Sequence, residues 1–377
     1  MLTRNPAAPT DDRGANAQPI GVIEHPEAPA DEGTENEPTD VQDALRRRLL
    51  SPHTLISFGI AVAAIWFVTR RIDLDPAAIW ANIRQANPLL LAVAFTLWYG
   101  AFFIRGGRWG YMLRSAGFDR THGHTLPPTR GLAEIVLLAY FANSIIPAKL
   151  GDAYRAYLLK RESGAPFSAG FGTILAERLV DVLMLVVVLA GSALLVFGSQ
   201  MPDEARPALL LGALLVVAGV AGLGLLWATR NAIVRFVPQR FRGAYGRLHA
   251  AIFGALRRPT LVLGVGLLLW FGDGMRVWFV ARSLDAGISP AVAILVAVMG
   301  ALLTVVPFTP AGLGVVEIGV GSVLIGVLGL DPVTAGSIIL LDRVVAYWSL
   351  LLVGAILYVR RLRHEYREPA VPAASRP

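Results

Sequence analysis

The chain has 377 residues, of which 55% are hydrophobic and 16% are charged, whereas soluble domains carry about 25% charged residues. Several apolar runs reach the roughly 20 residues that a helix needs to cross a bilayer. The composition therefore excludes an ordinary soluble protein and predicts a polytopic membrane protein. The absence of cysteine excludes disulfides and thiolate metal sites.

The first 44 residues differ from the rest of the chain in charge and hydrophobicity. They carry ten acidic residues against two Arg and few large apolar side chains, so they bury too little surface to offset the entropy of ordering. We therefore predict a disordered acidic tail over residues 1–44. The first apolar run begins only near Thr54, so we expect no signal peptide. Arg46-Arg47-Arg48 before that run favour a cytoplasmic N-terminus.

Apolar runs of bilayer length recur along residues 45–360 and predict one all-α transmembrane domain. Six runs are expected to cross the membrane fully, at about 52–69, 88–104, 168–198, 207–229, 260–281 and 333–359. Two other stretches, 131–165 and 290–330, contain Pro and Gly and are expected to form re-entrant helical hairpins. The seven Arg within 230–258 indicate an interfacial segment, and residues 361–377 are expected to form a short basic cytoplasmic tail.

The distribution of basic residues favours this topology. If both hairpins return to the side from which they enter, the cytoplasmic segments hold 24 basic residues, including five in a predicted loop at 105–130. The external loops then hold 5 basic residues. Because positive charge concentrates on the cytoplasmic side of membrane proteins, both termini are expected in the cytoplasm.

A five-residue pattern, Pro-Ala-x-Leu-Gly, occurs twice, at 147–151 and at 310–314. Matching residues flank the two copies in the same order, and they are Trp98 with Trp270 upstream and Glu177-Arg178 with Asp342-Arg343 downstream. This repetition predicts two related halves, repeat one at about 50–198 and repeat two at about 207–360. Each half crosses the membrane three times and has one hairpin. The second half is therefore expected to be inserted upside down, as an inverted repeat of the kind found in many transporters.

The repeated pattern has the chemistry of an interrupted helix. Proline breaks a helical hydrogen-bond ladder but suits the first turn of the next helix, and glycine permits a sharp turn. We predict that each pattern breaks its hairpin near the membrane centre, with the free N–H groups of the second half-helix facing an anion. Irregular backbone at that depth requires protein or a water-filled cavity around it. The alternative is a plain membrane anchor in which these residues only kink helices.

Charged residues occur inside the predicted spans and hairpins, where each costs about 2.5–3.5 kcal/mol at the bilayer centre. Such residues line a pathway, pair to fix helix packing or lie near the interface, and the sequence leaves these alternatives open. Asp152 and Arg155 lie three residues apart on one helical face, as do Asp273 and Arg276. Packing is the simpler interpretation of the second pair. The other charged residues of this kind are Glu177, Arg178, Asp181, Glu317, Asp342 and Arg343.

The sequence contains no nucleotide-binding loop and no nucleophile–base arrangement. His122 and His124 are separated by one residue, but a solvated pair in a loop is a simpler interpretation than a metal site. We therefore expect a transporter-like protein without cofactor, metal or nucleic-acid partner, and not an enzyme. A membrane-embedded enzyme that acts on lipids is a further alternative.

The motifs resemble those of the membrane domain of the lysylphosphatidylglycerol synthase and flippase-like family. The family's Asn-x-x-x-Pro-x-basic-x-Gly-acid-x-x-Arg motif corresponds to residues 143–155, and its Glu-Arg-x-x-Asp motif to residues 177–181. Its second-half motif corresponds to residues 307–317, with Ala311 where glycine is usual. The resemblance covers about residues 50–360 and implies lipid translocation. It argues against lipid aminoacylation, because a transferase domain follows the membrane part in full-length synthases and this chain extends only 18 residues past Val359.

The leading hypothesis is a lipid flippase or lipid transporter of the bacterial inner membrane that moves an anionic or aminoacylated envelope lipid between leaflets. The alternative is an accessory protein that presents lipid to a separate biosynthetic enzyme. The sequence leaves open whether the protein forms a homo-oligomer. Cations would hold the head group in a cavity between the halves, while their acidic partners would position them or carry protons. The predicted pathway residues are Asn143, Pro147, Lys149, Gly151, Asp152, Arg155, Glu177, Arg178, Asp181, Pro310, Gly312, Gly314, Glu317, Asp342 and Arg343.

Overall fold

The computed structural model of the chain describes residues 75–119, 124–145, 150–198, 206–229, 234–304 and 312–367, and these residues form helices joined by short turns. The predicted acidic tail, Arg46-Arg47-Arg48 and the predicted span at 52–69 lie outside the described residues. In chain order the helices are α1 (Pro76–Arg84), α2 (Pro88–Ser115), α3 (Thr129–Ile145), α4 (Gly151–Ser163), α5 (Phe167–Phe197), α6 (Arg206–Ala228), α7 (Gln239–Ala255), α8 (Pro259–Ser283), α9 (Pro290–Leu303), α10 (Val315–Gly321), α11 (Pro332–Arg343) and α12 (Ser349–Arg367).

Four helices begin with a capping side chain followed directly by proline, and they are α1 (Asp75-Pro76), α2 (Asn87-Pro88), α9 (Ser289-Pro290) and α11 (Asp331-Pro332). In each case the side-chain oxygen of the first residue accepts a hydrogen bond from a backbone N–H of the first turn. Proline at the next position has the required φ and lacks an N–H that would otherwise stay unpaired. The sequence therefore fixes these helix starts locally.

Four of the described helices are long and apolar enough to cross a bilayer. They are α2, α5, α8 and the continuous helix from Pro332 to Arg363, in which a π-helical segment, Val344–Trp348, joins α11 to α12. These helices lie where the sequence predicts crossings. The helix α6 lies at the predicted crossing 207–229 and exposes large apolar side chains such as Leu214, Val220 and Trp227, as expected of a surface in contact with lipid. The protein is therefore a multi-pass membrane protein.

The predicted end of the second span at residue 104 is wrong, because α2 continues to Ser115. Arg105 and Arg108 were assigned to a loop but lie inside this helix, 6% and 3% exposed. The helix continues because the segment contains no proline and buries Trp109 completely. These two residues and the buried Arg155 therefore do not belong among the charges of the cytoplasmic loops. Of the 24 basic residues assigned to the cytoplasmic segments, 21 remain when these three are removed. The predicted cytoplasmic side therefore still has the excess of positive charge.

The first predicted hairpin consists of α3 and α4. The chain between them, including Pro147 and Lys149, lies outside the described residues. Gly151 begins α4 against α3, and a Cβ atom at this position would lie 2.1 Å from the carbonyl oxygen of Ala139 and 2.7 Å from Oδ1 of Asn143. The two helices can approach this closely only because residue 151 has no side chain.

The second predicted hairpin consists of α9 and α10, and α10 continues as a π-helical segment, Ser322–Val327. Pro310 lies outside the described residues. Gly312 and Gly314 have φ angles of 68° and 86°, a left-handed conformation that favours glycine. The predicted glycine turn before the second half-helix is therefore confirmed.

The long helices pack in a pattern that brings the two halves of the chain together. The helix α2 lies along α8, while α3 packs against α2 and α9 packs against α8. Each of these hairpin helices also reaches across to the other half, because α9 contacts α5 and α3 contacts α12. The amphipathic helix α7 packs on α5 and α2. Side chains from α2, α5, α8 and α11 consequently face one another in the interior.

Candidate functional site

A buried ion-pair triad joins α2, α4 and α5. Both oxygens of the Glu177 carboxylate accept hydrogen bonds, Oε1 from Nη2 of Arg108 at 2.9 Å and Oε2 from Nη2 of Arg155 at 2.8 Å. The guanidinium of Arg155 lies over the ring of Trp109, with Cζ 4.0 Å from the ring centroid. All three charged side chains are at most 3% exposed, so their charges are compensated by one another and not by solvent.

Two further carboxylates lie beside the triad. Asp152 on α4 accepts two hydrogen bonds from Arg178 on α5, at 2.9 and 2.7 Å. Asp181 lies one turn after Glu177 and contacts the same nitrogen, Nη2 of Arg108, at 2.8 Å. Arg178 is 3.7 Å from the second oxygen of Asp181. The three carboxylates and three arginines therefore form one continuous network.

The second half of the chain carries ion pairs of similar design. Glu317 on α10 contacts Nε of Arg343 at 2.7 Å, and its other oxygen accepts the backbone N–H of Gly314 at 2.6 Å. Arg276 on α8 pairs with Asp342 on α11. As in the first half, the arginine in the last span holds an acid at the start of the second half-helix. These contacts hold α10, α8 and α11 together.

At the centre of the protein an ion pair and an aromatic ring connect the two halves directly. Nη2 of Arg105 on α2 lies 2.8 Å from Oδ2 of Asp273 on α8. The ring of Trp98 contacts two guanidinium groups, that of Arg105 at 5.8 Å and that of Arg276 at 5.3 Å from its centroid. Cation–π contacts of this kind stabilise desolvated arginines. The ring therefore contacts two like charges that come from facing helices.

These groups surround a cavity of about 390 Å³ between the spanning helices. Since a water molecule takes about 30 Å³ of liquid, the cavity has room for a polar head group. The wall is apolar toward α9, where Val296 and Ala297 lie. Its charged lining consists of Arg105, Arg108, Arg178, Asp181, Asp273, Arg276, Asp342 and Arg343. The cavity lining thus contains five positive groups and three negative groups.

Several guanidinium nitrogens of this lining are buried without a hydrogen-bond partner among the described residues. They are Nη1 of Arg105, Nε and Nη1 of Arg108, Nε of Arg276 and Nη2 of Arg343. An unpaired buried donor costs about 1–3 kcal/mol, and more when it is charged. The described residues around the cavity therefore have more guanidinium donors than their own acceptors satisfy.

The structure gathers most of the sequence-predicted residues around this cavity. Asn143, Arg178, Asp181, Asp342 and Arg343 line it. Behind the lining lies a second layer of charged residues, whose ion pairs hold the lining residues in place. This layer consists of Asp152, Arg155, Glu177 and Glu317. Gly151, Gly312 and Gly314 lie at the starts of the second half-helices. The other predicted residues, Pro147, Lys149 and Pro310, lie outside the described part of the chain.

Two expectations about local chemistry differ from the structure. The acid and base three residues apart do not pair within their own helix: Asp152 pairs with Arg178, and Asp273 pairs with Arg105. The amides that begin the half-helices are also not free. The N–H of Gly151 donates to Oδ1 of Asn143 at 2.8 Å, and that of Gly314 donates to Glu317. At these two positions the protein supplies its own acceptor, and the arginines of the cavity lining are other donors for an anion.

Four charged residues of the cavity lining are absent from the predicted pathway set, and they are Arg105, Arg108, Asp273 and Arg276. The first two were counted as loop charges, and the other two were interpreted as a packing pair. The spacing of Trp98, Phe102 and Trp109, which are all buried, could have indicated that the helix continues past residue 104. Nothing in the sequence indicates that α2 faces α8. Across the described ranges, no group of three or more His, Asp or Glu is placed to hold a metal ion.

The fold and the cavity define a multi-pass membrane protein with a charged cavity among its spanning helices. The chain belongs to the family described as the lysylphosphatidylglycerol synthase TM region, whose profile matches residues 54–354. The resemblance inferred from the motifs is therefore confirmed.

Related proteins come from archaea. A UPF0104 membrane protein of Methanocaldococcus jannaschii is 31% identical over 232 residues, which are 61% of this chain and 97% of that protein. A UPF0104 membrane protein of Pyrococcus horikoshii is 22% identical over 320 residues, 74% of this chain and 92% of that protein. Glycosyltransferase AglD of Haloferax volcanii is 24% identical over 343 residues, which are 81% of this chain but 54% of AglD.

Proposed function

We propose that this chain is a lipid flippase or lipid transporter that moves an anionic or aminoacylated envelope lipid between the leaflets of the bacterial inner membrane. The observation that carries the proposal is the cavity of about 390 Å³ among spanning helices, whose lining has five arginines and unpaired guanidinium donors. A phosphate would pair with arginines of this lining, because arginine binds phosphate oxygens through its planar fork. The acyl chains would stay in the hydrocarbon while only the head group enters the cavity.

Two inverted repeats would supply the movement. The matching order of elements supports this arrangement, since α2, α3–α4 and α5 correspond to α8, α9–α10 and α11–α12. The reciprocal packing of α9 on α5 and of α3 on α12 supports it too. So do the corresponding ion pairs, Asp152–Arg178 and Glu317–Arg343. In transporters with such repeats, rocking of one repeat against the other opens a midplane site to each side in turn.

We propose that both termini lie in the cytoplasm, which agrees with the positions of the basic residues outside the buried network. We propose membrane lipids as the partners, with no nucleic acid and no catalytic step by this chain. The five arginines that line the cavity need only bind and release a head group to perform the proposed transport.

The test is leaflet exchange in vesicles that contain the purified protein. Fluorescent anionic, zwitterionic and polyprenyl phospholipids are supplied, and dithionite quenching counts the labelled lipid in the outer leaflet. We expect exchange of at least one of these lipids above that of empty vesicles, and at least a tenfold slower rate for Arg276→Gln. The matched control is Arg282→Gln on the same helix, an exposed arginine outside the cavity. Exchange no faster than in empty vesicles for every lipid would contradict the proposal.

An accessory role is the second candidate. The match to glycosyltransferase AglD favours it, because nearly half of that longer protein lies outside the matched region. In this role the cavity would bind a lipid and present it to a separate lipid-modifying enzyme. Native mass spectrometry that finds a bound lipid, together with absent exchange and co-purification of a transferase, would select this candidate.

A further inference from the structure

We propose that Asp181 binds one proton each time an anionic head group enters the cavity, so that lipid movement is coupled to proton movement. This inference rests on the proposed transport function and adds its coupling ion. It follows from the charge balance of the cavity and from the way in which the carboxylates share the arginines.

The described ion pairs around the cavity contain equal numbers of positive and negative groups. The arginines are Arg105, Arg108, Arg155, Arg178, Arg276 and Arg343, and the carboxylates are Asp152, Glu177, Asp181, Asp273, Glu317 and Asp342. Each carboxylate is within 4 Å of at least one guanidinium group. The paired network is therefore neutral before any ligand binds. An entering anion would give it a negative charge.

A net charge inside the protein and the bilayer is costly. Removing an ion from water costs several kcal/mol unless a partner compensates it, and the bilayer on the far side of the helices supplies none. A proton that enters with the anion restores neutrality and is available from water on either side of the membrane. The proton needs an acceptor carboxylate that faces the cavity and forms only a weak ion pair with its arginine.

Of the three carboxylates in the first-half network, Asp181 meets both conditions best. Glu177 has two guanidinium partners, and Asp152 has a bidentate one. Asp181 shares a single nitrogen of Arg108 with Glu177, and its contact with Arg178 is 3.7 Å long. It lines the cavity and is 19% exposed, whereas Glu177 is 3% exposed behind it.

The charged groups near Asp181 come from several elements. Arg108 approaches from α2, while Asp152 and Arg155 approach from α4 through their pairs with Arg178 and Glu177. From α8, Asp273 and Arg276 face the same cavity. The indole N–H of Trp270 on α8 donates to the backbone oxygen of Asp181 at 3.2 Å and not to the carboxylate of that residue. The wall on α9 is lined by apolar residues and Thr304.

The coupled step can be written without any other reactant. A phosphate oxygen takes the place of Asp181 on Nη2 of Arg108 and on Arg178, whose side chain is 31% exposed. Asp181 then loses its share of both guanidinium groups. A proton from water forms an O–H bond on its carboxylate, and the network stays neutral. When the head group leaves on the other side, the two arginines return to Asp181 and the proton dissociates there.

The test measures the leaflet distribution that a pH gradient maintains. Vesicles of phosphatidylcholine and phosphatidylglycerol contain the full chain, the membrane potential is clamped at zero, and the reporter is fluorescent phosphatidylglycerol. With one proton per lipid, a gradient of one pH unit is expected to hold the reporter at about a tenfold leaflet ratio, because 1.4 kcal/mol corresponds to tenfold. A pH dye inside the vesicles should record the accompanying protons.

The key variant is Asp181→Asn, and the matched variant is Asp273→Asn, which removes a cavity carboxylate that has Arg105 as its partner. We expect Asp181→Asn to exchange lipid with a leaflet ratio near one and no proton signal. Asp273→Asn is expected to keep the tenfold ratio even if its rate falls. A ratio near one in the unmodified chain, with exchange intact, would overturn the coupling and leave the transport function standing. Equal ratios in the unmodified chain and Asp181→Asn would overturn the assignment to Asp181.

A second measurement does not depend on transport or on the variant. Soluble glycerophosphoglycerol is added to the protein in weakly buffered nanodiscs that contain a pH indicator. Uptake of one proton per bound head group is expected. Binding without proton uptake would contradict the inference, whereas proton uptake without leaflet exchange would support it and count against the transport function.

Discussion

The ion pairs of the first half and those of the second half use the same residue types but differ in burial and in connectivity. In the first half, Glu177 joins Arg108 and Arg155, and all three are buried on three different helices. In the second half, Asp342 and Glu317 have one arginine each, and both carboxylates are partly exposed. The second-half pairs also adjoin π-helical segments, whereas Glu177 lies in regular α-helix.

This difference separates a fixed part of the site from an adjustable part. A carboxylate that binds two buried arginines on different helices can move only if another helix moves with it. A single, partly hydrated pair can open and close at a smaller cost, since the cost of breaking an ion pair rises with its burial. We therefore expect the triad of Glu177, Arg108 and Arg155 to anchor the cavity and the second half to rearrange during transport.

Neutralising the shared carboxylate should break the anchor and have the largest effect. Glu177→Gln leaves Arg108 and Arg155 buried, and loss of one partner from a buried pair costs about 3–5 kcal/mol. We expect the free energy of unfolding in detergent to fall by that amount, measured by denaturant titration with tryptophan fluorescence. A loss below about 1 kcal/mol would mean that the triad does not anchor the first half.

The tight start of α4 should be the next most sensitive point. Gly151→Ala puts a methyl group 2.1 Å from a backbone oxygen of α3, and such overpacking costs about 1–3 kcal/mol. In the other hairpin the nearest atom to a Cβ at Gly319 is Cδ1 of Leu303, at 2.4 Å, and a side-chain end can move aside. Unfolding should therefore respond less to Gly319→Ala. Gly246→Ala, which meets nothing within 4 Å, is the control and should not destabilise.

The partly exposed pair of the second half should matter less for stability than for transport. Glu317→Gln keeps an oxygen for the N–H of Gly314 but loses the ionic contact with Arg343, for which we expect about 1–2 kcal/mol. Because the proposed movement opens this pair, lipid exchange should change at least tenfold while unfolding changes little. If stability falls as far as in Glu177→Gln, the two halves do not differ in the proposed way.

The smallest effect is expected outside the cavity, at the ion pair between Glu162 at the end of α4 and Arg361 in α12. Exposed pairs contribute about 0–1 kcal/mol. Glu162→Gln should therefore lower the free energy of unfolding by less than about 1 kcal/mol and leave leaflet exchange unchanged. A larger loss of exchange would indicate that this contact takes part in the movement and would extend the adjustable region to α12.

Local patterns in the sequence account for much of the helical architecture. Apolar runs locate the spans, and a capping residue before proline, as in Asn87-Pro88, fixes helix starts. The repeated Pro-Ala-x-Leu-Gly pattern locates the turn at Gly312 and Gly314. These features depend on neighbouring residues, so a single sequence contains the required information.

Which residues form the site depends on contacts between segments that are far apart in the sequence. A search for apolar runs ends at Arg105, because a charge and two glycines interrupt the hydrophobic pattern, and it therefore assigns Arg105 and Arg108 to a loop. Their burial becomes acceptable only because Asp273 and Glu177 lie opposite on other helices. Likewise, spacing along one helix pairs Asp152 with Arg155. Tertiary packing gives each a closer partner on α5.

The π-helical segment Val344–Trp348 has a consequence for the length of the last span. A π-helical turn accommodates one residue more than an α-helical turn. Removal of one residue between 344 and 348 would therefore convert the segment to regular α-helix and keep the rotational phase of the helix on both sides. The same deletion between Glu177 and Asp181 would rotate every following residue of α5 by about 100°, since the α-helix has 3.6 residues per turn. The last span can thus lose a residue beside the cavity without turning its lipid-facing side inward, and α5 cannot.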